Sequence, residues 1–180
     1  LHGKIIEEYY PMLKVTSKSI PDQPYGIHDD ETENIAVPKI IELAKKWEGI
    51  DALIISCAGD PAVHELRNIL DIPVIGAGES TALLALRYGK VFGTLGITKD
   101  IPKAYTRILG DRIVGTCDVP GVVSTLDLMN EDGRKNVINK AFELKNLGAE
   151  VIALACTGMS TIGIAKEIEK ACGIPVIDPV

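Results

Sequence analysis

Two of the four cysteines stand at matching places in the chain. The segment GIDALIISCAGD from Gly49 and the segment GAEVIALACTGM from Gly148 align without a gap, and the offset of 99 residues lays Cys57 on Cys156. Each cysteine ends an apolar, β-branched run, where a strand gives way to a helix. A thiol at such a place has its thiolate favoured by the positive end of the helix and by unpaired backbone N–H groups. Two of them facing one carbon could invert it: a base on one face removes the proton, an acid on the other face returns one, and the roles exchange for the opposite enantiomer. One thiolate and one thiol suffice if the pair titrates so that a singly protonated form dominates.

The small residues after each cysteine extend this reading. Ala58, Gly59 and Asp60 in one copy, and Thr157 and Gly158 in the other, let a substrate approach the backbone and offer N–H donors to a developing enolate or carboxylate oxygen. Asp60 either contacts substrate or caps the helix that opens at Pro61. The turn at Gly96 to Thr98, with its amides and the Thr98 hydroxyl, is a third candidate wall. Cys117 and Cys172 read as inert structure, and His2, His28 and His64 as isolated residues. There is no C-x-x-C pair, clustered histidine or Gly-rich phosphate fingerprint, so neither a metal nor a cofactor is expected.

The elements that must position these residues follow from periodicity. Short apolar runs alternate with segments of helical period, the pattern of βα units and a parallel sheet. Strands are predicted near 14–19, 52–56, 73–75, 90–96, 112–116, 151–155 and 175–177, and helices over 4–10, 35–47, 61–70, 80–88, 100–109, 133–147 and 160–172. Residues 21–33 and 118–131 are the longest loops, with the acidic run 29–33 solvated or serving as a lid. After the helix that follows each cysteine the repeat continues, with DIPVIGAG around Pro73 falling on GIPVIDPV around Pro175. The fold class expected is α/β: two pseudo-symmetric doubly wound domains, each a small parallel sheet flanked by helices, residues 1–88 and 89–180, with the active site in the cleft between them. By this symmetry the first half lacks its opening strand, and the natural chain is expected to extend at both ends.

Composition sets the outer bounds. The 180 residues are 46% hydrophobic and 24% charged with a net charge of −6, ordinary values for a folded globular chain. Scattered basic residues exclude the electrostatic footprint of a nucleic-acid binder, no apolar run approaches the roughly 18 residues of a membrane span, and the cytoplasm is the default location.

Strand-CAGDP at Cys57 to Pro61, strand-CTGM at Cys156 to Met159, and the trailing IPVIG and IPVID resemble the aspartate/glutamate racemase superfamily, and within it the hydantoin racemase branch. The resemblance covers nearly the whole chain. It implies two pseudo-symmetric α/β domains, no cofactor, two catalytic cysteines, a small-molecule substrate and commonly a homo-oligomer. It points to racemisation of a 5-substituted hydantoin or allantoin-like cyclic amide, whose ring hydrogen is more acidic than that of an amino-acid carboxylate. Amino-acid racemases of the superfamily more often carry Cys-Asn-Thr and Cys-Thr-His; here Ala58 and Gly158 replace the Asn and the His. An aspartate/glutamate racemase, a maleate-type isomerase using one cysteine as nucleophile, and a two-lobed small-molecule binding protein without catalysis are the alternatives.

Overall fold

A computed structural model describes residues 1–23 and 26–180. Helix α1 (His2–Tyr9) is followed in chain order by α2 (Asp30–Lys45). Strand β1 (Leu53–Ile55), α3 (Val63–Ile69), β2 (Val74–Gly76) and α4 (Ala77–Ala85) follow. The second part runs β3 (Phe92–Leu95), α5 (Lys103–Leu109), β4 (Ile113–Val114), α6 (Glu131–Asn146), β5 (Val151–Leu154), α7 (Thr157–Thr161), α8 (Ala165–Cys172) and β6 (Val176–Ile177).

All strand pairings are parallel. β1 pairs with β2 in one sheet, and a second sheet has the order β4-β3-β5-β6. The α/β class with helix-flanked parallel sheets is as the sequence predicts. β3 and β5 are buried along their whole length, as strands covered on both faces must be. One face packs against α6 and α8 through Leu144, Ile152, Leu154 and Ile168. The other packs against α4 and α5 through Ala82, Ala85, Tyr105 and Ala153, and the Tyr105 hydroxyl donates to the Leu154 carbonyl at 2.7 Å. α4 follows β2 in the chain yet belongs to this second core. The smaller sheet rests its inner face on α2 and α3 through Leu53, Ile55, Leu66 and Val74.

Several expectations are corrected. Residues 14–19 form no strand. Val15 and Ser17 lie against Gly3 of α1, where a Cβ would come within 2.5 Å of Ser17 Oγ, and the Val15 amide donates to Glu7 Oε1 at 2.7 Å. The segment folds back on α1 instead of joining a sheet. The acidic run is helical: Asp29 caps α2, accepting from the Thr32 amide at 2.8 Å while the Thr32 hydroxyl receives the Asp29 amide, an arrangement that places Asp30, Glu31 and Glu33 at the favourable end of the helix dipole. Within the expected loop 21–33, Pro24 and Tyr25 lie outside the described residues. The helix expected over 160–172 breaks at Gly163, whose φ of +65° a residue with a Cβ adopts only at a cost.

Order 4-3-5-6 means that successive connections leave β3 in one direction and reach β5 in the other. The crevice of such a sheet opens where that reversal occurs, at the carboxyl ends of β3 and β5. Gly96 follows β3 there, Cys156 follows β5, and Cys117, wholly buried, packs its sulfur beneath Gly96. Burial pushes the Cys117 thiol from its ordinary 9.0 up to about 12. An unfolded chain therefore releases this proton first as pH rises, so stability held below about pH 9 is lost progressively toward pH 12. Urea unfolding at pH 7 and pH 10 should show this loss, and a smaller one in Cys117→Ala.

Candidate active site

Cys57 and Cys156 each lie two residues beyond a strand, after Ile55 of β1 and Leu154 of β5, and both side chains are half-buried. The Gly59 amide lies beside the Cys57 sulfur, and the Gly158 and Met159 amides beside that of Cys156. These contacts favour thiolates, yet desolvation outweighs them. Burial raises Cys57 to about 11 and raises Cys156 as well. Negative charge at Cys156 raises Cys57 further, as do Asp60 and Glu33. The two sulfurs thus share one electrostatic neighbourhood, in which a charge on one disfavours a charge on the other.

The copies diverge immediately afterwards. Cys156 is the N-cap of α7, as expected, but α3 does not start until Val63, so no helix starts at Cys57. Asp60 and Ala62 intervene with φ of 56° and 63°, left-handed conformations that few residues with a Cβ adopt. Their effect is to turn the Asp60 carboxylate away from α3 and toward α4, where it accepts from the amides of Gly78 at 2.7 Å and Glu79 at 2.6 Å. Asp60 is a helix cap, but of α4, not of the helix predicted at Pro61. Gly78 is what permits the approach, because a Cβ there would lie 2.1 Å from the Ala58 carbonyl oxygen. Arg67 secures the same corner, donating to the Val74 carbonyl at 3.0 and 2.8 Å and pairing with Glu79.

The remaining predicted residues divide. Thr157 sits against the Cys57 loop, its hydroxyl directed at the Ser56 carbonyl at 3.5 Å, while Gly158 lies against Thr125 and Cys156. Ala58 is buried in the core beside Ala155 and Ile177, leaving its backbone, not its side chain, for the site. The β3–α5 turn departs from expectation. The Gly96 amide donates to the Cys117 carbonyl at 2.8 Å and the Thr98 hydroxyl to the Asp100 carbonyl at 3.0 Å, so the donors proposed for a third wall are engaged within the second part itself.

One site residue escaped the sequence reading. His2, at the start of α1, bonds Ser56 Oγ through Nδ1 at 2.7 Å and Thr161 Oγ1 through Nε2 at 3.0 Å. It joins the residue before Cys57 to the helix after Cys156, across 54 and 159 residues of sequence. No spacing rule links positions so far apart. Desolvation lowers its pKa, which suits a neutral imidazole used as a bracket. Beside it opens a pocket of about 280 Å³, whose wall includes His2, Thr157 and Gly158. Among the described residues no group of three or more His, Cys, Asp or Glu could hold a metal, and no helix is long and apolar enough to cross a membrane.

Comparison with known proteins decides what this geometry belongs to. The family profile described as Asp/Glu/Hydantoin racemase matches residues 1–180. The chain belongs to this family. A hydantoin racemase of Pseudomonas sp. (strain NS671) is 32% identical over 172 residues, which cover 87% of this chain and 66% of the relative. One from Rhizobium meliloti is 28% identical over 179 residues, 92% of this chain and 71% of the relative. The chain thus spans just under two thirds of the length of the Pseudomonas enzyme. Of solved structures, an allantoin racemase from Pseudomonas fluorescens superposes with a TM-score of 0.81 at 18% identity, covering 98% of this chain and 80% of that one. A glutamate racemase from Aquifex pyrophilus gives 0.61 at 23% identity, over 98% and 73%. Both share the fold of this family member.

Two consequences can be measured. Because two backbone amides favour a Cys156 thiolate, while Cys57 has one such amide and is opposed by the charges of Asp60 and Glu33, iodoacetamide at pH 8.5 should alkylate Cys156 before Cys57, as read by peptide mass spectrometry. Asp60→Ala leaves two α4 amides uncapped and should lower stability by about 1–2 kcal/mol in urea unfolding, with Asp60→Asn recovering part of it.

Proposed function

We propose that this chain carries the two-cysteine centre of a cofactor-independent racemase, in which Cys57 and Cys156 act as acid and base on opposite faces of one carbon. The observation that carries the reading is the pairing itself. Two half-buried thiols end equivalent strands of an internal repeat, each sulfur is met by a backbone amide, and ionisation of one opposes ionisation of the other. The pair reaches the state that proton transfer in either direction requires, one proton between two sulfurs, once pH rises enough to ionise Cys156 while Cys57 stays protonated to about 11.

Cys156, better solvated by amides, is the base for one enantiomer. Cys57, held protonated to about pH 11, is the acid that delivers to the opposite face. The desolvation that raises both thiols also makes a thiolate there a stronger base than one in water. That strength matches a ring hydrogen of a 5-substituted hydantoin or allantoin-like cyclic amide more readily than the α-hydrogen of an amino-acid carboxylate. The hydantoin racemases among its relatives favour the same substrate class.

Proton NMR in deuterium oxide tests this directly. Each enantiomer of a 5-substituted hydantoin should lose its C5 hydrogen signal and racemise in the presence of EDTA and hydroxylamine, which remove metal and carbonyl cofactors, while aspartate and glutamate should not. Either Cys57→Ala or Cys156→Ala should lower racemisation by about a thousandfold or more, the scale of losing an essential proton-transfer group. A maleate-type isomerase would need only one of the two cysteines, and a binding protein would keep its affinity with both replaced. The rate should also climb as pH rises past the ordinary thiol value and Cys156 forms the first thiolate, then fall near pH 11 as Cys57 loses its own proton.

A further inference from the structure

A second pocket lies away from both cysteines. It opens beside α6, measures about 200 Å³, and is lined by Pro120, Asn136, Asn139, Lys140 and Glu143. None of these lines the pocket beside His2. The four α6 residues fall three and four positions apart, which stacks them along one face of the helix, beside the face that buries Val137, Ala141 and Leu144 in the core.

Lys140 sets this face apart from an ordinary solvated one. Its side chain is only 4% exposed, a burial that lysine accepts only with partners. The ammonium donates to Thr116 Oγ1 at 2.9 Å and to Glu143 Oε1 at 2.7 Å, which uses two of its three N–H groups. Glu143, 53% exposed, gives one oxygen to that pair and keeps the other for a further donor. Among the described residues, the carboxamides of Asn136 and Asn139 bond no other protein group, although both face the pocket. Unengaged donors and unengaged acceptors therefore line the same small space.

Charge decides what fits it. A lone anion drawn to Lys140 meets a carboxylate oxygen 2.7 Å from the ammonium, and a lone cation drawn to Glu143 meets the ammonium. An apolar group would strip water from all of these groups and return no bond. A molecule with one charge of each sign, on groups attached to the same carbon, can lie antiparallel to the Lys140–Glu143 pair. Its carboxylate then takes the third ammonium N–H and the carboxamide N–H groups, and its ammonium takes the second oxygen of Glu143. Both ends of that arrangement are charge-assisted hydrogen bonds.

The geometry points to a second small-molecule site, between α6 and Pro120, that binds a small α-amino acid as its zwitterion. The site stands on its own residues and is independent of the racemase reading above.

Titration of the 15N-labelled protein with alanine at pH 7, following the side-chain carboxamide signals of Asn136 and Asn139, tests this. Those signals should shift to saturation with a Kd of about 1 mM, the range open to so small a ligand. Acetate and methylamine, each carrying one of the two charges, should bind at least about tenfold more weakly. Glu143→Gln and Asn139→Ala, both at exposed positions, should each weaken alanine by about tenfold while the backbone spectrum shows the fold intact. A protein with both Cys57 and Cys156 changed to alanine should bind as the unaltered one does. Carboxamide signals that stay still at about 50 mM alanine would overturn the proposal, as would acetate binding as tightly as alanine or unchanged affinity in both α6 variants. Shifts confined to the residues around Cys57 and Cys156 would place the amino acid in the cysteine cleft and overturn it as well.

Discussion

A thiol at the end of a buried parallel strand is pulled two ways. The strand delivers it to a place where water is scarce, which disfavours its charge, and the turn that follows aims backbone amides at it, which favours its charge. In this chain desolvation is the larger effect at both sites. The outcome is not two ready-made thiolates but two reluctant ones, and charge on Cys156 adds to the burial that raises Cys57. The two thiols stand on separate loops, which His2 and Thr157 tie together through Ser56.

That proximity is built from contacts that cross the repeat. α4 leaves the smaller sheet and packs on the larger one through Ala82 and Ala85. Its first turn is tied back to the Cys57 loop by Asp60 and kept in place by the bare Cα of Gly78. On the other side His2 brackets Ser56 to Thr161. The Cys57 loop is therefore fixed from three directions, by α4, by α1 and by α7, although no helix starts at it. Cys156 needs less support, because it caps a helix directly. The repeat yields equivalent positions for the two cysteines but different electrostatics: burial raises both thiols, and Cys57 is raised further by the charges of Cys156, Asp60 and Glu33.

The chemistry was more legible in the sequence than the scaffold around it. Cys57 and Cys156 could be found because a gapless 99-residue offset is a one-dimensional signal, and β3 and β5 because a strand buried on both faces is a continuous apolar run. Residues 14–19 have strand-like composition, but whether such a segment joins a sheet depends on a free edge and on what else binds it; Ser17 and Val15 found α1 first. Asp60 sits directly before a proline, the signature of a local cap, and a left-handed backbone sent it to a helix 18 residues away. His2 is legible only in three dimensions, since its two partners belong to different halves. The acidic run at Asp29 was within reach, because Asp-x-x-Thr is itself a capping pattern.

The central claim is that two different thiols, one on each face, handle the proton. The most direct measurement is the isotopic content of both enantiomers early in the reaction in deuterium oxide, starting from one protiated enantiomer of 5-isobutylhydantoin, with chiral separation and mass spectrometry below a tenth of full conversion. Two bases predict product that carries deuterium from its first appearance while the remaining substrate stays protiated, since the thiol that returns the proton is loaded from solvent and is not the one that removed it. Product that retains the original hydrogen, or substrate that takes up deuterium as fast as product forms, would mean that a single group works both faces, and would contradict the account.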